Sequence, residues 1–213
     1  MKTMEALRPE VRTCVIDLPE WALQSAREAR LIGWDIETSG LNWEIDRIGT
    51  CQIFVPGREV FIVQFNGAAT TPRNLGVLLA DAQVRKVFHH AIFDLRFMIH
   101  QWAIKPTNVA CTKIASKILT PSEEDHTLKS TLQRYLQTSI DKELGNSDWL
   151  SNQLSNEQVH YAAEDVRYLP SLYSRFRQLL QAQGRWQLAE ACFSHLPVRA
   201  CLDILGAGDV FKY

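Results

Sequence analysis

Asp35 and Glu37 stand two residues apart in Leu31-Ile32-Gly33-Trp34-Asp35-Ile36-Glu37-Thr38, where a mostly apolar run meets two carboxylates. In a strand, residues i and i+2 project from one side. Two unpaired carboxylates on one face repel each other and are costly to desolvate. A hard divalent cation, Mg²⁺ or Mn²⁺, relieves both problems and prefers such oxygen ligands. Asp94 follows Phe88-His89-His90-Ala91-Ile92-Phe93 at a strand-to-helix transition, where the helix dipole favours an anion. Tyr161 and Asp165, in Tyr161-Ala162-Ala163-Glu164-Asp165, share a helix face one turn apart. Ala162 and Ala163 are small enough to admit another element, and Glu164 is expected to point elsewhere into solvent. Each pattern alone has an ordinary alternative: a salt-bridged strand end, a helix-dipole charge, a core tyrosine beside a surface aspartate. The adjacent His89 and His90 do not make a zinc site, since no further His or Cys pair has suitable spacing.

The elements that must position these groups follow from patterning. Val11–Ile16 reads as a strand. Asp17-Leu18-Pro19-Glu20 then reads as a helix start with Asp17 as N-cap and Glu20 closing a capping box, the helix running to about Arg27. Strand-like runs follow at Leu31–Ile36, Gly49–Val55 and Glu59–Phe65, with Pro56-Gly57 as a tight turn. A helix is predicted near Arg73–Ala80, a strand at Arg85–His89, a helix over Phe93–Trp102, a strand at Asn108–Cys111 and a helix over Thr112–Leu119. Later helices are predicted at Leu128–Leu136 and in a long stretch after Ser155, where Ser155-Asn156-Glu157-Gln158 is a second capping-box pattern. Meandering strands followed by alternating helices and strands imply an α/β fold, a central mixed sheet flanked by helices.

The 213 residues, 46% of them hydrophobic, suffice for one domain with a substantial core. A formal net charge of −1 argues against avid nonspecific binding to long duplexes, which needs a broad basic surface. It leaves room for a small nucleic-acid substrate held by metal ions and a few cations. No apolar run approaches a membrane span, and Met1-Lys2-Thr3-Met4-Glu5 lacks the apolar stretch of a signal peptide. Five scattered cysteines, Cys14, Cys51, Cys111, Cys192 and Cys201, read as reduced, mostly buried thiols of a cytoplasmic protein.

In combination, the acids and the phenol run Asp-x-Glu, Asp, Tyr-x-x-x-Asp, each at the end of a predicted element. This order resembles the DEDD superfamily of 3′–5′ exonucleases, in the tyrosine-bearing subclass that includes RNase D. Ser147-Asp148-Trp149, Leu154-Ser155 and Val166-Arg167-Tyr168-Leu169 extend the resemblance. A nearer likeness, to the nano-RNase C group of small enzymes that degrade RNA dinucleotides, rests on two stretches. They are Cys111-Thr112-Lys113-Ile114-Ala115-Ser116-Lys117 and the tail Ala191-Cys192-Phe193-Ser194-His195-Leu196-Pro197-Val198-Arg199-Ala200 with Leu202-Asp203-Ile204-Leu205-Gly206.

The resemblance implies an RNase H-like sheet of five or six strands and a single exonuclease domain over residues 1–213, without the further helical domains of RNase D. It implies hydrolysis of a 3′-terminal phosphodiester, releasing nucleoside 5′-monophosphates. Two metal ions, Mg²⁺ or Mn²⁺, would clamp the scissile phosphate. Asp35, Glu37, Asp94 and Asp165 would be the ligands, with Asp35 bridging, and Tyr161 would orient the attacking water. It further implies a substrate of short RNA, and ring-shaped homo-oligomers such as an octamer, with residues 190–213 as a subunit contact. Candidate substrate-holding residues are Thr38, Leu41 as a wedge against a terminal base, His90, Lys113, His126 and Lys129. Many relatives carry Asn where His90 stands. Two other classes of function are an exonuclease on longer RNA or on DNA, and a non-catalytic nucleic-acid-binding module. The module would be expected to have lost a ligand, and all four acids are present. No residue marks the 2′-OH contact on which RNA-versus-DNA choice usually rests.

Overall fold

The computed structural model describes residues 9–66, 70–140 and 147–212. Six strands, β1 (Val11–Val15), β2 (Leu31–Thr38), β3 (Ile48–Phe54), β4 (Val60–Gln64), β5 (Arg85–Phe88) and β6 (Val109–Cys111), form one sheet in the order β1-β4-β3-β2-β5-β6. Strands β2, β3 and β4 are an antiparallel meander, while β1, β5 and β6 join in parallel. The helices are α1 (Glu20–Ala29), α2 (Arg73–Ala80), α3 (Ile92–Trp102), α4 (Thr112–Leu119), α5 (Leu128–Leu136), α6 (Asn156–Arg167), α7 (Leu169–Ala182) and α8 (Trp186–Ile204). The arrangement is the expected mixed α/β fold, with six strands. Among the described residues, no helix is long and apolar enough to cross a membrane.

Strand β2 is the spine. It pairs with β5 at Leu31, Ile32 and Gly33 and with β3 from Gly33 to Thr38, and Ile32, Trp34 and Ile36 are buried. It extends to Thr38 rather than ending at Ile36, so both acids lie within the strand. Pairing with β3 slips between Glu37 and Thr38. A bulge of this kind re-aims the chain at a sheet's functional end.

Several expectations are corrected. Asp17 does not cap α1, whose N-cap is Pro19 with no side-chain bond. The Asp17 carboxylate instead accepts the backbone N–H groups of Asn74 and Leu75, at 2.7 and 3.0 Å. It therefore satisfies the free amides of α2, a long-range cap that no local pattern announces. The helical stretch after Ser155 divides into α6, α7 and α8, and its capping box is present as expected. Among the thiols, only Cys51 and Cys111 are buried, and Cys201 is exposed.

Lys86 on β5 is fully buried. Its Nζ donates to the Asp81 carbonyl at 2.7 Å, closing the C-terminus of α2. Burial pushes its pKa from 10.5 down to about 7, against the opposing pull of Asp81. Between those values the unfolded chain binds the extra proton, so this residue makes stability rise with pH across that window. Lys86→Met should remove that rise. Urea unfolding at pH 7 and 9.5 should show the wild type gaining on the order of 2–3 kcal/mol relative to the variant. A constant difference would refute the assignment.

Candidate active site

Two elements bring three carboxylates together. Asp35 and Glu37 project from the α6-facing side of β2. Helix α6 crosses that side so closely that a Cβ on Gly33 would collide with the Val166 carbonyl. This seats the last turn of α6, and Asp165 with it, over the strand. Asp35, Glu37 and Asp165 each offer an oxygen within 4.8 Å of the others. Asp165 is only 6% exposed. Three like charges so close, one of them buried, are unfavourable without a cation. The donor set is all carboxylate, suited to Mg²⁺ or Mn²⁺ rather than zinc.

Asp94 enters from the first turn of α3, at 2% exposure. Its Oδ1 accepts from the Ile36 N–H at 3.2 Å, the amide between the two β2 acids. It is thus tied to β2 but stands outside the group of three. Burial, followed by the nearby Asp165, pushes its carboxyl well above the usual range.

Tyr161, one turn before Asp165, hydrogen-bonds to it. Burial raises the phenol's pKa most, followed by Asp165, Glu37 and Asp35. The hydroxyl is therefore a donor at neutral pH, not a base. Trp149 packs against the Tyr161 ring, with centroids 5.9 Å apart. Glu164, expected in solvent, is paired with Arg167, and both side chains are 13% exposed.

The candidate substrate residues fall into different settings. Thr38 donates to the Gly40 carbonyl at 2.6 Å, closing the turn beyond the acids. Leu41, past that turn, is 83% exposed. His90 and Lys113 line one cavity of about 180 Å³ with Lys117, between the first turns of α3 and α4. Burial, then Lys113, Arg96 and Lys117, lower the His90 pKa. His90 has φ +74°, in the left-handed region where Asn and His are among the tolerated side chains. His126 is 5% exposed and turned inward. Its Nδ1 meets Ser116 Oγ at 2.8 Å and its Nε2 the Glu123 carbonyl at 3.0 Å, which ties the preceding loop to α4. Lys129, at the start of α5, is exposed and outside the cavity lining.

A family model described as a 3′-5′ exonuclease matches residues 15–181. The chain belongs to the 3′-5′ exonuclease family. Among curated proteins, the chain is 31% identical over 139 residues to a ribonuclease D of Gluconacetobacter diazotrophicus, covering 63% of this chain and 34% of that protein. The ribonuclease D of Musicola paradisiaca is 30% identical over 112 residues, 53% of this chain and 30% of the relative. The chain thus spans about a third of the length of these relatives. Among solved structures, Brucella melitensis NrnC superimposes with a TM-score of 0.90 at 36% identity, covering 96% of this chain and 98% of NrnC. NrnC structures with bound Mg²⁺ and with bound pGG superimpose with TM-scores of 0.89, at 35% and 36% identity. Escherichia coli RNase D shares the fold, with a TM-score of 0.75 at 22% identity, over 84% of this chain and 47% of that one.

Gly33→Ala should push α6 off β2. The expected cost is about 1–3 kcal/mol of stability, together with weaker Mn²⁺ binding as Asp165 leaves the group. Urea unfolding and a Mn²⁺ titration check this; no change in either would show that α6 is seated elsewhere.

Proposed function

We propose that this exonuclease-family chain hydrolyses short RNA from the 3′ end to nucleoside 5′-monophosphates, using two divalent metal ions, Mg²⁺ or Mn²⁺. The observation that carries the reading is the convergence of Asp35, Glu37 and Asp165, with Tyr161 bonded to Asp165. Asp94 is held one amide away. These four acids would hold the metal. When bound, the ions supply charge neutralisation at the scissile phosphate and an activated water.

The side chains divide the remaining work. Tyr161, fixed as a donor by its surroundings, orients an oxygen near Asp165 rather than removing a proton. The α6 packing excludes water from the Asp165 side, while the exposed Leu41 faces solvent beyond the acids, where it can contact a terminal base. The cavity at His90 and Lys113 combines cations with two helix starts, features suited to a substrate phosphate. Thr38 and Lys129 complete the proposed contacts. His126 serves by holding its loop, not by meeting substrate.

Short RNA is favoured because NrnC, similar over nearly the whole chain, is seen with pGG. The reading places one domain over residues 1–213 in the cytoplasm, working as a homo-oligomer, a ring-shaped octamer being the form the likeness to the nano-RNase C group implies. Support for self-association is the apolar exposure at the C-terminal end: Val198 at 51%, Leu205 at 78% and Phe211 at 70%. The second reading, trimming of longer RNA or DNA 3′ ends, is favoured by the ribonuclease D relatives.

A time course with end-labelled RNA of two, three, seven and about twenty nucleotides, and matching DNA, separates the two. Dinucleotide RNA should be degraded fastest; equal rates at all lengths would contradict the short-RNA reading. Asp35→Ala should abolish turnover while circular dichroism shows an intact fold, and full metal-dependent activity in that variant would overturn the site. Light scattering should report an oligomer, and a monomer at working concentration would remove that part.

A further inference from the structure

The sheet face that carries Asp35 and Glu37 continues beyond β2 as a row of polar side chains. The register sets Asp35 opposite Gln52, Glu37 opposite Thr50, and Thr50 in turn opposite Gln64. Directly paired residues share a face, their Cβ atoms about 4.5–5.5 Å apart. Thr50 and Gln52 are both 0% exposed. The opposite face of β3 presents Cys51 and Ile53 to an apolar core.

Gln52 Nε2 donates to Thr50 Oγ1 at 2.5 Å. Two other amide atoms of the row, Gln52 Oε1 and Gln64 Nε2, are buried with no hydrogen-bond partner. A buried polar group left unpaired costs about 1–3 kcal/mol, whereas an apolar side chain of the same shape would cost nothing of the kind. The fold alone gives no reason to bury a glutamine and a threonine in the middle of a central strand. Their place directly across from the two β2 carboxylates does give one.

We propose that Thr50 and Gln52 are positioning residues for Glu37 and Asp35, holding the two carboxylates from the strand behind them in the orientation a divalent cation requires. Thr50 Oγ1 accepts from Gln52, which leaves the hydroxyl proton to be given, and a hydroxyl rotates to suit its acceptor. The anion directly across the strand pair is Glu37. Gln52, directly across from Asp35, gives one Nε2 hydrogen to Thr50 and has the second to offer that carboxylate, and the unused Gln64 Nε2–H adds a donor on the far side of Thr50. Groups that hydrogen-bond metal-ligating carboxylates set their orientation, and losing one typically costs 10–100-fold in metal affinity or activity. The inference rests on reading Asp35, Glu37 and Asp165 as cation ligands.

The test is a Mn²⁺ titration of Thr50→Val, Thr50→Ser and Gln52→Met, with thermal unfolding of each and kinetics on a dinucleotide RNA. Thr50→Val and Gln52→Met should fold with melting temperatures at or above that of the wild type. They should bind Mn²⁺ about 10-fold more weakly and lose kcat with KM little changed, while Thr50→Ser, which keeps the hydroxyl, should restore both. Wild-type Mn²⁺ affinity in Thr50→Val and Gln52→Met would overturn the proposal. So would a Thr50→Ser variant as impaired as Thr50→Val, or failure of both apolar variants to fold, which would make the pair structural. Asp35→Asn is the control: if it too binds Mn²⁺ normally, the ligand reading itself has failed, not only the positioning.

Discussion

The close crossing of α6 over β2 is the constraint on which the rest depends. Gly33 is where it happens, because no other residue lets the Val166 carbonyl approach the strand so nearly. One turn earlier on α6 lies Tyr161, and at the same depth Asp165. The crossing therefore decides that an aspartate from the C-terminal half meets two acids from the N-terminal half. Core packing holds charges together that repel. Burial of Ile32, Trp34 and Ile36 beneath β2, and of Ala162 and Val166 on α6, stabilises an arrangement that its electrostatics oppose.

That opposition shapes the protonation of Asp94 and Tyr161. Asp94 is pushed up by burial and by Asp165, and Tyr161 by burial and three carboxylates. Neither shift is what a resting protein core would select. Both would be relieved by a bound dication, whose charge favours the ionised carboxylates. Tyr161 remains a donor through its bond to Asp165, consistent with orientation rather than proton abstraction. Perturbed groups gathered at one point are a functional signature because stability gives no reason to assemble them.

Much of this was legible in the sequence. The i, i+2 acids on an apolar run, Asp94 at a strand-to-helix turn and the i, i+4 pair on a capped helix all stand on the elements their spacing indicated. The misreadings share a cause: local patterns cannot show long-range partners. Asp17 looked like the cap of the helix beside it, yet serves α2 more than fifty residues on. His126 looked like a phosphate contact, but Ser116 and Glu123 hold both ring nitrogens. The left-handed backbone at His90 had a faint signal in the Asn of relatives. Thr50 and Gln52 had one too: polar residues at period two in an otherwise apolar strand, meaningful only once the register sets them opposite Asp35 and Glu37.

The central claim is that the fold holds Asp35, Glu37 and Asp165 together against their repulsion so that a divalent cation can bind. Thermal unfolding of the wild type and of Asp165→Asn, with and without millimolar Mn²⁺, tests it most directly. The account predicts that Mn²⁺ raises the wild-type melting temperature by mass action on the folded state. It also predicts that metal-free Asp165→Asn melts higher than metal-free wild type and responds little to Mn²⁺. A wild-type melting temperature indifferent to Mn²⁺, with Asp165→Asn less stable than wild type, would contradict it.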